Sequence, residues 1–402
     1  MKKIILIVLL LLSACSNNTE DVPQEIEAKK MKELLPKNTN LTIEDKLIEK
    51  KSYSDNDLKK LIGNMFVIGF YGTDINENSQ IIKDIREYHL GGVILFDKHP
   101  SRKKRAKNIE NPKQLKLLTK KLQTYSDYPL LIAIDQEGGK VARLSKRNGF
   151  TKKDYPSSKD ISTKYTIDEI KKIYNDMGKT LADSGINLNF APSVDMEINP
   201  KNVVIVKLKR SYGKESKEVV AFSKLFIDAM NDNSVLISLK HFPGHGSSVG
   251  DTHKGFVDIT KSWKPKELEP FSVLIKENKV DTIMVAHVFH EDMDANYPAT
   301  LSHKIVTDML REKMNYNGVV ITDDLQMYAI SKHFNLKDTI ELTINAGVDL
   351  LLFGNQLDPK HIVSTKKLVD TTFSLVKEKK ISIEILLDAN MRINLLKEKL
   401  EH

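Results

Sequence analysis

The segment Gly318-Val319-Val320-Ile321-Thr322-Asp323-Asp324 contains the pattern that decides the fold. Its run from Val319 to Thr322 is apolar or β-branched without polar alternation, and two aspartates follow it directly. A short run of this kind is typical of a strand that is buried on both faces of a parallel sheet. A helical pattern begins at Leu325. The segment therefore predicts one strand–helix unit of an α/β protein.

Seven further runs of the same kind occur along the chain, each followed by polar or glycine residues and then by a helical pattern. Strands spaced in this way predict a parallel sheet that is covered by helices. Eight units in residues 53–402 predict a closed (β/α)8 barrel of the TIM type. In chain order the runs are Phe66 to Phe70, Gly92 to Phe96, Leu130 to Asp135, Leu188 to Val194, Val235 to Lys240, Thr282 to Val288, Val319 to Asp323 and Val348 to Phe353.

One of the intervening helices has clear end signals. Thr166 and Glu169 have the spacing of a capping box, in which each residue satisfies a free backbone N–H of the first turn. Ile170, Ile173, Met177 and Leu181 then share one helical face, and Gly185 ends the pattern. This face is expected to pack in the core.

The amino terminus differs in character from the rest of the chain. Lys2 and Lys3 precede an apolar run from Ile4 to Leu12, which is typical of a secretory signal and too short for a membrane-spanning helix. The next residues, Leu12-Ser13-Ala14-Cys15, resemble a bacterial lipobox, whose cysteine is acylated and becomes the mature amino terminus. The alternative for Cys15 is an incidental or buried thiol. We expect three segments: a lipoprotein signal peptide at 1–14, a polar tether at 15–52 and the barrel domain at 53–402.

Composition narrows the classes of function. The net charge is +8, but the basic residues fall in short runs, such as Lys103-Lys104-Arg105, that are typical of solvated helix ends. An exported protein does not routinely meet nucleic acid, so we expect no nucleic-acid partner and only weak attraction to anionic envelope polymers. Cys15 is the only cysteine, which excludes a disulfide and a cysteine-based metal site.

Polar groups end four of the predicted strands. Active sites of such barrels lie at the carboxyl ends of the strands, and charged groups buried there need partners, of which a ligand is one. Glu137 is expected to pair with a basic residue rather than to act as a second catalytic acid. The four strand ends are Asp135-Gln136-Glu137-Gly138-Gly139 followed by Arg143, Lys240-His241, Ala286-His287 and Thr322-Asp323-Asp324.

A carboxylate and an imidazole stand two positions apart in Asp251-Thr252-His253, in the glycine-rich loop that follows Lys240-His241-Phe242-Pro243-Gly244-His245-Gly246. In an extended segment such side chains point the same way, so Asp251 can reach His253. A carboxylate on one ring nitrogen fixes the tautomer and raises the basicity of the other, which suits proton transfer. The alternative for His253 is an ordinary surface histidine. His245 is expected to be structural.

These motifs resemble those of the bacterial β-N-acetylhexosaminidases of glycoside hydrolase family 3, from about residue 60 to the end of the chain. The resemblance implies a retaining exo-β-N-acetylglucosaminidase in which Asp323 is the nucleophile. It also implies that His253, oriented by Asp251, is the acid/base. Asp324 is the alternative nucleophile, but its place before a helical pattern favours a helix cap.

The same resemblance implies the sugar contacts. Asp135 would accept hydrogen bonds from sugar hydroxyls, since a carboxylate accepts two such bonds well. Arg143 and Arg210 match the ligand-binding arginines of the family, and Lys240 with His241 matches the pair that lines the −1 subsite. For Lys240 a salt bridge to a strand-end acid is the alternative, and the two roles are compatible.

Two stretches depart from the family pattern. After Gly246 the family usually carries Asp or Asn, whereas this chain has Ser247-Ser248. The stretch from Asn199 to Arg210 lacks the second proline and the glycine of the family, and it is about two residues longer. These departures concern the hydrogen bonds inside the loop and the position of Arg210.

We expect neither a metal nor an organic cofactor. The pair His241 and His245 is separated by Pro243-Gly244, which prevents the helix that would place both on one face. The expected partners are a GlcNAc-containing glycan, such as a muropeptide, and a membrane reached through acylated Cys15. The protein is accordingly expected to be an exported bacterial lipoprotein, periplasmic or at the cell surface. Two alternatives stay open, a β-glucosidase or β-xylosidase of the same family and a non-catalytic glycan-binding surface lipoprotein.

Overall fold

The computed structural model describes residues 53–101 and 105–400. The predicted signal peptide, the tether and Cys15 lie outside these residues, as do Lys103 and Lys104 of the basic run. Within the described ranges, no helix combines the length and the apolar character needed to cross a bilayer.

Eight of the strands form one parallel barrel, and two short strands form a separate sheet. The strands are β1 (Phe66–Gly69), β2 (Gly92–Ile94), β3 (Leu131–Ile134), β4 (Leu188–Asn189), β5 (Leu236–Phe242), β6 (Val257–Asp258), β7 (Thr282–Val285), β8 (Val288–Phe289), β9 (Val319–Thr322) and β10 (Leu351–Phe353). The large sheet has the order β10-β1-β2-β3-β4-β5-β7-β9. A parallel bridge between Ile321 of β9 and Leu350, next to β10, closes the ring. The predicted (β/α)8 barrel is confirmed.

Amphipathic helices surround the barrel, and each buries an apolar face. The α-helices in the described residues are α1 (Asp55–Gly63), α2 (Gln80–Tyr88), α3 (Pro112–Thr124), α4 (Ser158–Lys164), α5 (Ile167–Asp183), α6 (Ser216–Asn231), α7 (Glu269–Lys276), α8 (Tyr328–Ser331), α9 (Leu336–Asn345), α10 (Thr365–Lys377) and α11 (Ile383–Glu398). Short 3-10 turns occur at Lys146–Asn148, Pro265–Leu268 and Ala299–Leu301, and a helix with π-type hydrogen bonds spans Lys304–Lys313.

The start of α5 confirms the predicted capping box. The Glu169 carboxylate accepts a hydrogen bond of 2.8 Å from the Thr166 N–H, and the Thr166 hydroxyl accepts one from the Glu169 N–H. Ile170, Met177 and Leu181 are buried as predicted. The chain leaves the helix through Gly185 at φ 72°, a left-handed conformation that glycine adopts without strain.

Three strand ends differ from the predicted runs. β4 stops at Asn189, shortly before Pro192, which has no backbone N–H to extend the ladder. β5 continues to Phe242, so Lys240 and His241 lie within the strand and not at its end. The run from Thr282 to Val288 divides, because its last residue belongs to β8, which pairs with β6. This small sheet begins directly after the loop that carries Asp251 and His253.

Candidate active site

A cavity of about 190 Å³ lies at the carboxyl ends of the barrel strands. Its wall includes four of the predicted site residues, Asp135, Arg143, His253 and Asp323. Asp135 and Asp323 follow barrel strands β3 and β9, whereas His253 comes from the loop after β5. The fold therefore brings the strand-end carboxylate and the loop imidazole to one cavity.

The surroundings of Asp323 favour its ionised form. Its Oδ1 accepts a hydrogen bond of 2.8 Å from the backbone N–H of Asp324. Burial alone would raise the pKa of Asp323, but the nearby imidazoles of His287, His241 and His253 outweigh burial and hold it below its ordinary value of 3.8. Asp323 is therefore a carboxylate near neutral pH, which is the form that a nucleophile requires.

The predicted pairing of Asp251 with His253 is present. Asp251 Oδ1 lies 3.0 Å from His253 Nδ1 and also accepts the His253 backbone N–H at 3.0 Å. The imidazole is about half exposed, at 53%, whereas the carboxylate is 18% exposed. Because Nδ1 faces the carboxylate, Nε2 is the ring nitrogen that can exchange a proton with a ligand.

The loop that carries this pair is attached to the segment that follows Asp323. The Ala329 N–H in α8 donates a 3.1 Å hydrogen bond to the carbonyl of Thr252, which is buried. On the other side of the pair, the Phe256 ring lies 5.2 Å from that of Phe289 and 5.7 Å from that of His333. These contacts explain why a loop residue reaches a cavity at the end of β9.

Five charged side chains form a network beside the cavity, with Lys240 and Glu137 buried at its centre. Lys240 Nζ lies 3.0 Å from Asp135 and 2.7 Å from Glu137, and Arg210 makes a two-pronged contact with Glu137 at 2.7 and 2.8 Å. Arg143 reaches the second oxygen of Asp135 at 3.1 Å. Burial would raise the pKa of both carboxyls, but these cations hold each pKa at about 2. Glu137 thus pairs with basic residues, as expected. Lys240 forms salt bridges with two acidic side chains, which was the alternative role expected for it.

Three predicted ligand contacts lie behind the cavity wall. Lys240 and His241 are buried and the Arg210 side chain is 11% exposed, and none of the three is among the described residues that line the cavity. Arg210 also contacts His241 directly, since its Nη2 lies 3.1 Å from His241 Nε2. Direct contact of these three side chains with a sugar stays a prediction.

Asp195 is a further acidic residue behind the cavity wall, and the sequence motifs do not single it out. Its Oδ2 lies 2.5 Å from His241 Nδ1, and its Oδ1 accepts the His245 N–H at 2.7 Å. Burial would raise the pKa of Asp195, but His241 and His245 outweigh it and hold that pKa far below the ordinary value. A signal was present, because Asp195 directly follows the apolar run from Leu188 to Val194, as Asp323 follows its own run.

The two stretches that depart from the family pattern contact each other. Asn202 donates to the hydroxyl of Ser248 at 3.0 Å and to the His245 carbonyl at 2.7 Å, and Asn199 donates to the Ser247 carbonyl at 3.2 Å. The Ser248 hydroxyl also lies 2.6 Å from His245 Nδ1. His245 has the structural place expected for it, and burial lowers its pKa to about 4.

The prediction that Asp324 caps a helix is wrong. Helix α8 begins only at Tyr328, with Met327 as its N-cap, because the chain first makes a turn at the cavity rim. Asp324 Oδ1 accepts the Gln326 N–H at 3.0 Å within this turn. Burial raises the pKa of Asp324 to about 6, so its carboxyl ionises at a higher pH than that of Asp323.

Asp323 and the Asp251–His253 pair thus line one cavity at the carboxyl ends of a (β/α)8 barrel, where barrels of this type have their active sites. Comparison with known proteins shows the family of the chain. Residues 57–395 match the glycosyl hydrolase family 3 N terminal domain, and the chain belongs to this family.

The relatives differ in how much of their own length this chain covers. A β-hexosaminidase from Tolumonas auensis is 33% identical over 274 residues, which are 67% of this chain and 77% of that protein. β-Hexosaminidase A of Pseudoalteromonas piscicida is 37% identical over 294 residues, and the match spans about half of its length, 46%, and 67% of this chain. The structure of a glycoside hydrolase family 3 β-N-acetylglucosaminidase from Paenibacillus sp. str. FPU-7 superimposes with a TM-score of 0.75 at 32% identity, over 86% of this chain and 62% of that one.

Proposed function

We propose that the protein is a retaining exo-β-N-acetylglucosaminidase that removes terminal β-linked N-acetylglucosamine (GlcNAc) from glycans. The observation that carries the proposal is that Asp323 and the Asp251-oriented imidazole of His253 line the same cavity. Membership of glycosyl hydrolase family 3 and the names of the β-hexosaminidase relatives support the choice of sugar.

In the first chemical step the Asp323 carboxylate attacks the anomeric carbon. The bond from that carbon to the leaving oxygen breaks, and this oxygen takes a proton from His253 Nε2, giving a covalent glycosyl-enzyme. In the second step His253 removes a proton from water, which attacks the same carbon and releases Asp323. Two displacements retain the β configuration. Asp251 positions the imidazole throughout and stabilises its charged form.

Asp135 is proposed to bind the hydroxyls of the terminal sugar. Its carboxylate lines the cavity, and the contacts with Lys240 and Arg143 keep it ionised and fixed in position. An ionised carboxylate accepts strong hydrogen bonds from neighbouring hydroxyls. The cavity volume of about 190 Å³ is small, which suits a small ligand such as one terminal sugar.

Peptidoglycan fragments are the proposed natural substrates, and acylated Cys15 is the proposed membrane anchor. The sequence Leu12-Ser13-Ala14-Cys15 supports the anchor. In bacteria that express the full chain, activity is expected in the membrane fraction, and Cys15→Ala is expected to abolish labelling by radioactive palmitate. Palmitate labelling that persists in the variant would contradict the anchor.

The catalytic assignment is tested with a nitrophenyl β-GlcNAc reporter. Asp323→Ala is expected to reduce kcat by about 10³-fold or more, and His253→Ala by about 10²-fold to 10⁴-fold. Added azide is expected to restore turnover of the histidine variant and to give a β-configured glycosyl azide, because azide needs no proton removal.

The matched control is His303→Ala. His303 belongs to another exposed pair of the same geometry, with Nδ1 3.0 Å from Asp308, and it is not among the described residues that line the cavity. Unchanged activity is expected for this variant. Full activity of Asp323→Ala, or an α-configured product, would contradict the mechanism, and faster hydrolysis of the nitrophenyl β-glucoside would favour the β-glucosidase alternative.

A further inference from the structure

A second, larger depression continues from the cavity. This basic groove has a volume of about 620 Å³ and includes Asp97, Lys98, Arg105, Glu110 and Arg147. It lies between the segment that connects β2 to α3 and the turn that follows β3. Asp97 and Lys98 also line the catalytic cavity. The cavity and the groove are therefore neighbouring spaces that share part of their wall.

Positive charge exceeds negative charge in the groove. Asp97 is buried and is already paired with the Arg147 guanidinium. Lys98 and Arg105 are exposed, and neither forms an ion pair with another described residue. Glu110 is the remaining carboxylate of the groove.

Backbone contacts keep the two free cations near each other. The His99 N–H donates a 2.9 Å hydrogen bond to the Arg105 carbonyl, which joins the ends of this short segment. The Gln356 side chain donates at 2.9 Å to the Lys98 carbonyl and so attaches the segment to the chain that follows β10. These contacts place the backbones of Lys98 and Arg105 close together, and both residues line the groove.

We propose that the basic groove binds the aglycone of the substrate, and that Lys98 and Arg105 select an aglycone that carries a carboxylate. The inference rests on the proposed exo-glycosidase function, since an enzyme that holds the terminal sugar in the cavity must place the leaving group outside it. A sugar with a lactyl ether, as in a GlcNAc–N-acetylmuramic acid disaccharide, has the required carboxylate next to the scissile bond. Arg105 and Lys98 act on binding and leave the chemical step to Asp323 and His253.

The test compares two substrates that differ at one group, the GlcNAc–N-acetylmuramic acid disaccharide with its charged lactyl carboxylate and the neutral lactyl methyl ester. At low ionic strength the wild type is expected to show a kcat/KM about fivefold higher for the acid, through KM, as two exposed ion pairs would give. The ratio is expected to approach one at high salt, because salt screens exposed charges. The acid-to-ester ratio of kcat/KM is also expected to approach one in the double variant Lys98→Ala/Arg105→Ala. In Arg105→Glu the ratio is expected to fall below one, because the new carboxylate repels the acid.

The control is Lys171→Ala/Lys172→Ala, which removes two exposed lysines of α5 and is expected to keep the wild-type ratio. The ratio is formed within each enzyme, so a general loss of activity cancels. Equal kcat/KM for acid and ester in the wild type, or a ratio that the groove substitutions leave unchanged, overturns the inference. Nitrophenyl β-GlcNAc separates the two proposals: no turnover by the wild type overturns the function and the inference with it, whereas turnover without charge preference overturns the inference alone.

Discussion

Asp323 and Asp324 are neighbours with the same side chain, yet the fold gives them opposite electrostatic conditions. Three imidazoles lower the pKa of Asp323, whereas burial raises that of Asp324 to about 6. Only Asp323 is therefore held ready as an anion throughout the physiological pH range. This difference supports the proposal that Asp323 is the attacking carboxylate.

The low pKa of Asp323 predicts the acid side of the pH profile. The nucleophile must be ionised to attack, and kcat/KM reports the ionisation of essential groups in the free enzyme. Since the pKa lies below 3.8, kcat/KM for a nitrophenyl β-GlcNAc is expected to stay constant as the pH falls toward that value and to decline only below it. Activity at pH 7 after incubation at each acid pH controls for unfolding. A reversible midpoint above about pH 5 would contradict this assignment.

At the scale of residues, the strand-end pattern identified Asp135 and Asp323, and the two-residue spacing identified the contact of Asp251 with His253. Both patterns are local, so the sequence displays them. Asp195 was missed although it follows an apolar run in the same way. Its importance comes from contacts with His241 and His245, which only the packed barrel brings within 2.5 to 2.7 Å.

The loop between β5 and β6 is the element on which the proposed mechanism depends. Its backbone is attached to α8 through Thr252, and its far end packs through Phe256 on Phe289 and His333. Half of the Phe256 side chain is exposed, at 50%, so the ring contributes little to the core. We infer that Phe256 positions His253 over the cavity.

Removal of this ring is expected to act on catalysis more than on stability. Phe256→Ala is expected to reduce kcat by about tenfold with little change in KM or melting temperature, because a displaced imidazole transfers protons poorly. Phe256→Tyr should retain most of the activity, and Val249→Ala, which trims another exposed apolar residue of the loop, serves as control. Steady-state kinetics of the three variants provide the measurement. A lower melting temperature with wild-type kcat would show that Phe256 has only a structural role.

Among the elements, every predicted apolar run contains a barrel strand, because burial on both faces leaves a clear local pattern. Strand ends were predicted less well. β5 is longer than its run, since Lys240 and His241 find buried ionic partners that let polar residues continue the strand. The division of the run from Thr282 to Val288 depends on pairing with β6, which no local pattern indicates.

The barrel closes between β9 and β10, and Asp349 lies at this seam. It is fully buried, and its carboxylate contacts Arg311 at 2.7 Å, Arg392 at 2.9 Å and the Val320 N–H at 2.8 Å. The two arginines come from the helix at Lys304–Lys313 and from α11. One carboxylate thus joins the seam to two surrounding helices.

Loss of this charge is expected to destabilise the entire barrel. Asp349→Asn leaves two arginines without their buried partner and is expected to lower the free energy of unfolding by about 3 kcal/mol. Asp308→Asn, at an exposed pair with His303, is the control and is expected to change stability very little. Urea unfolding followed by circular dichroism measures both. Equal midpoints for the two variants would contradict the role of Asp349 in closure.

At the scale of the molecule, the number of strand–helix units follows from the sequence, because each unit has its own apolar run. The sequence does not show that His253 and Asp323 line the same cavity. Their loop and strand are joined by contacts between distant segments, such as the hydrogen bond from the Ala329 N–H to the Thr252 carbonyl. The basic groove likewise joins segments after two different strands. Sites that are assembled from several loops appear only when the barrel closes.

The most direct measurement is the capture of the covalent intermediate. A fluorinated GlcNAc donor that forms the glycosyl-enzyme quickly and hydrolyses slowly is incubated with the protein, which is then digested and sequenced by mass spectrometry. We expect one sugar per chain, bound to the carboxylate of Asp323. A label on Asp324 or on Asp135, or turnover of the donor with no labelled peptide, would contradict it.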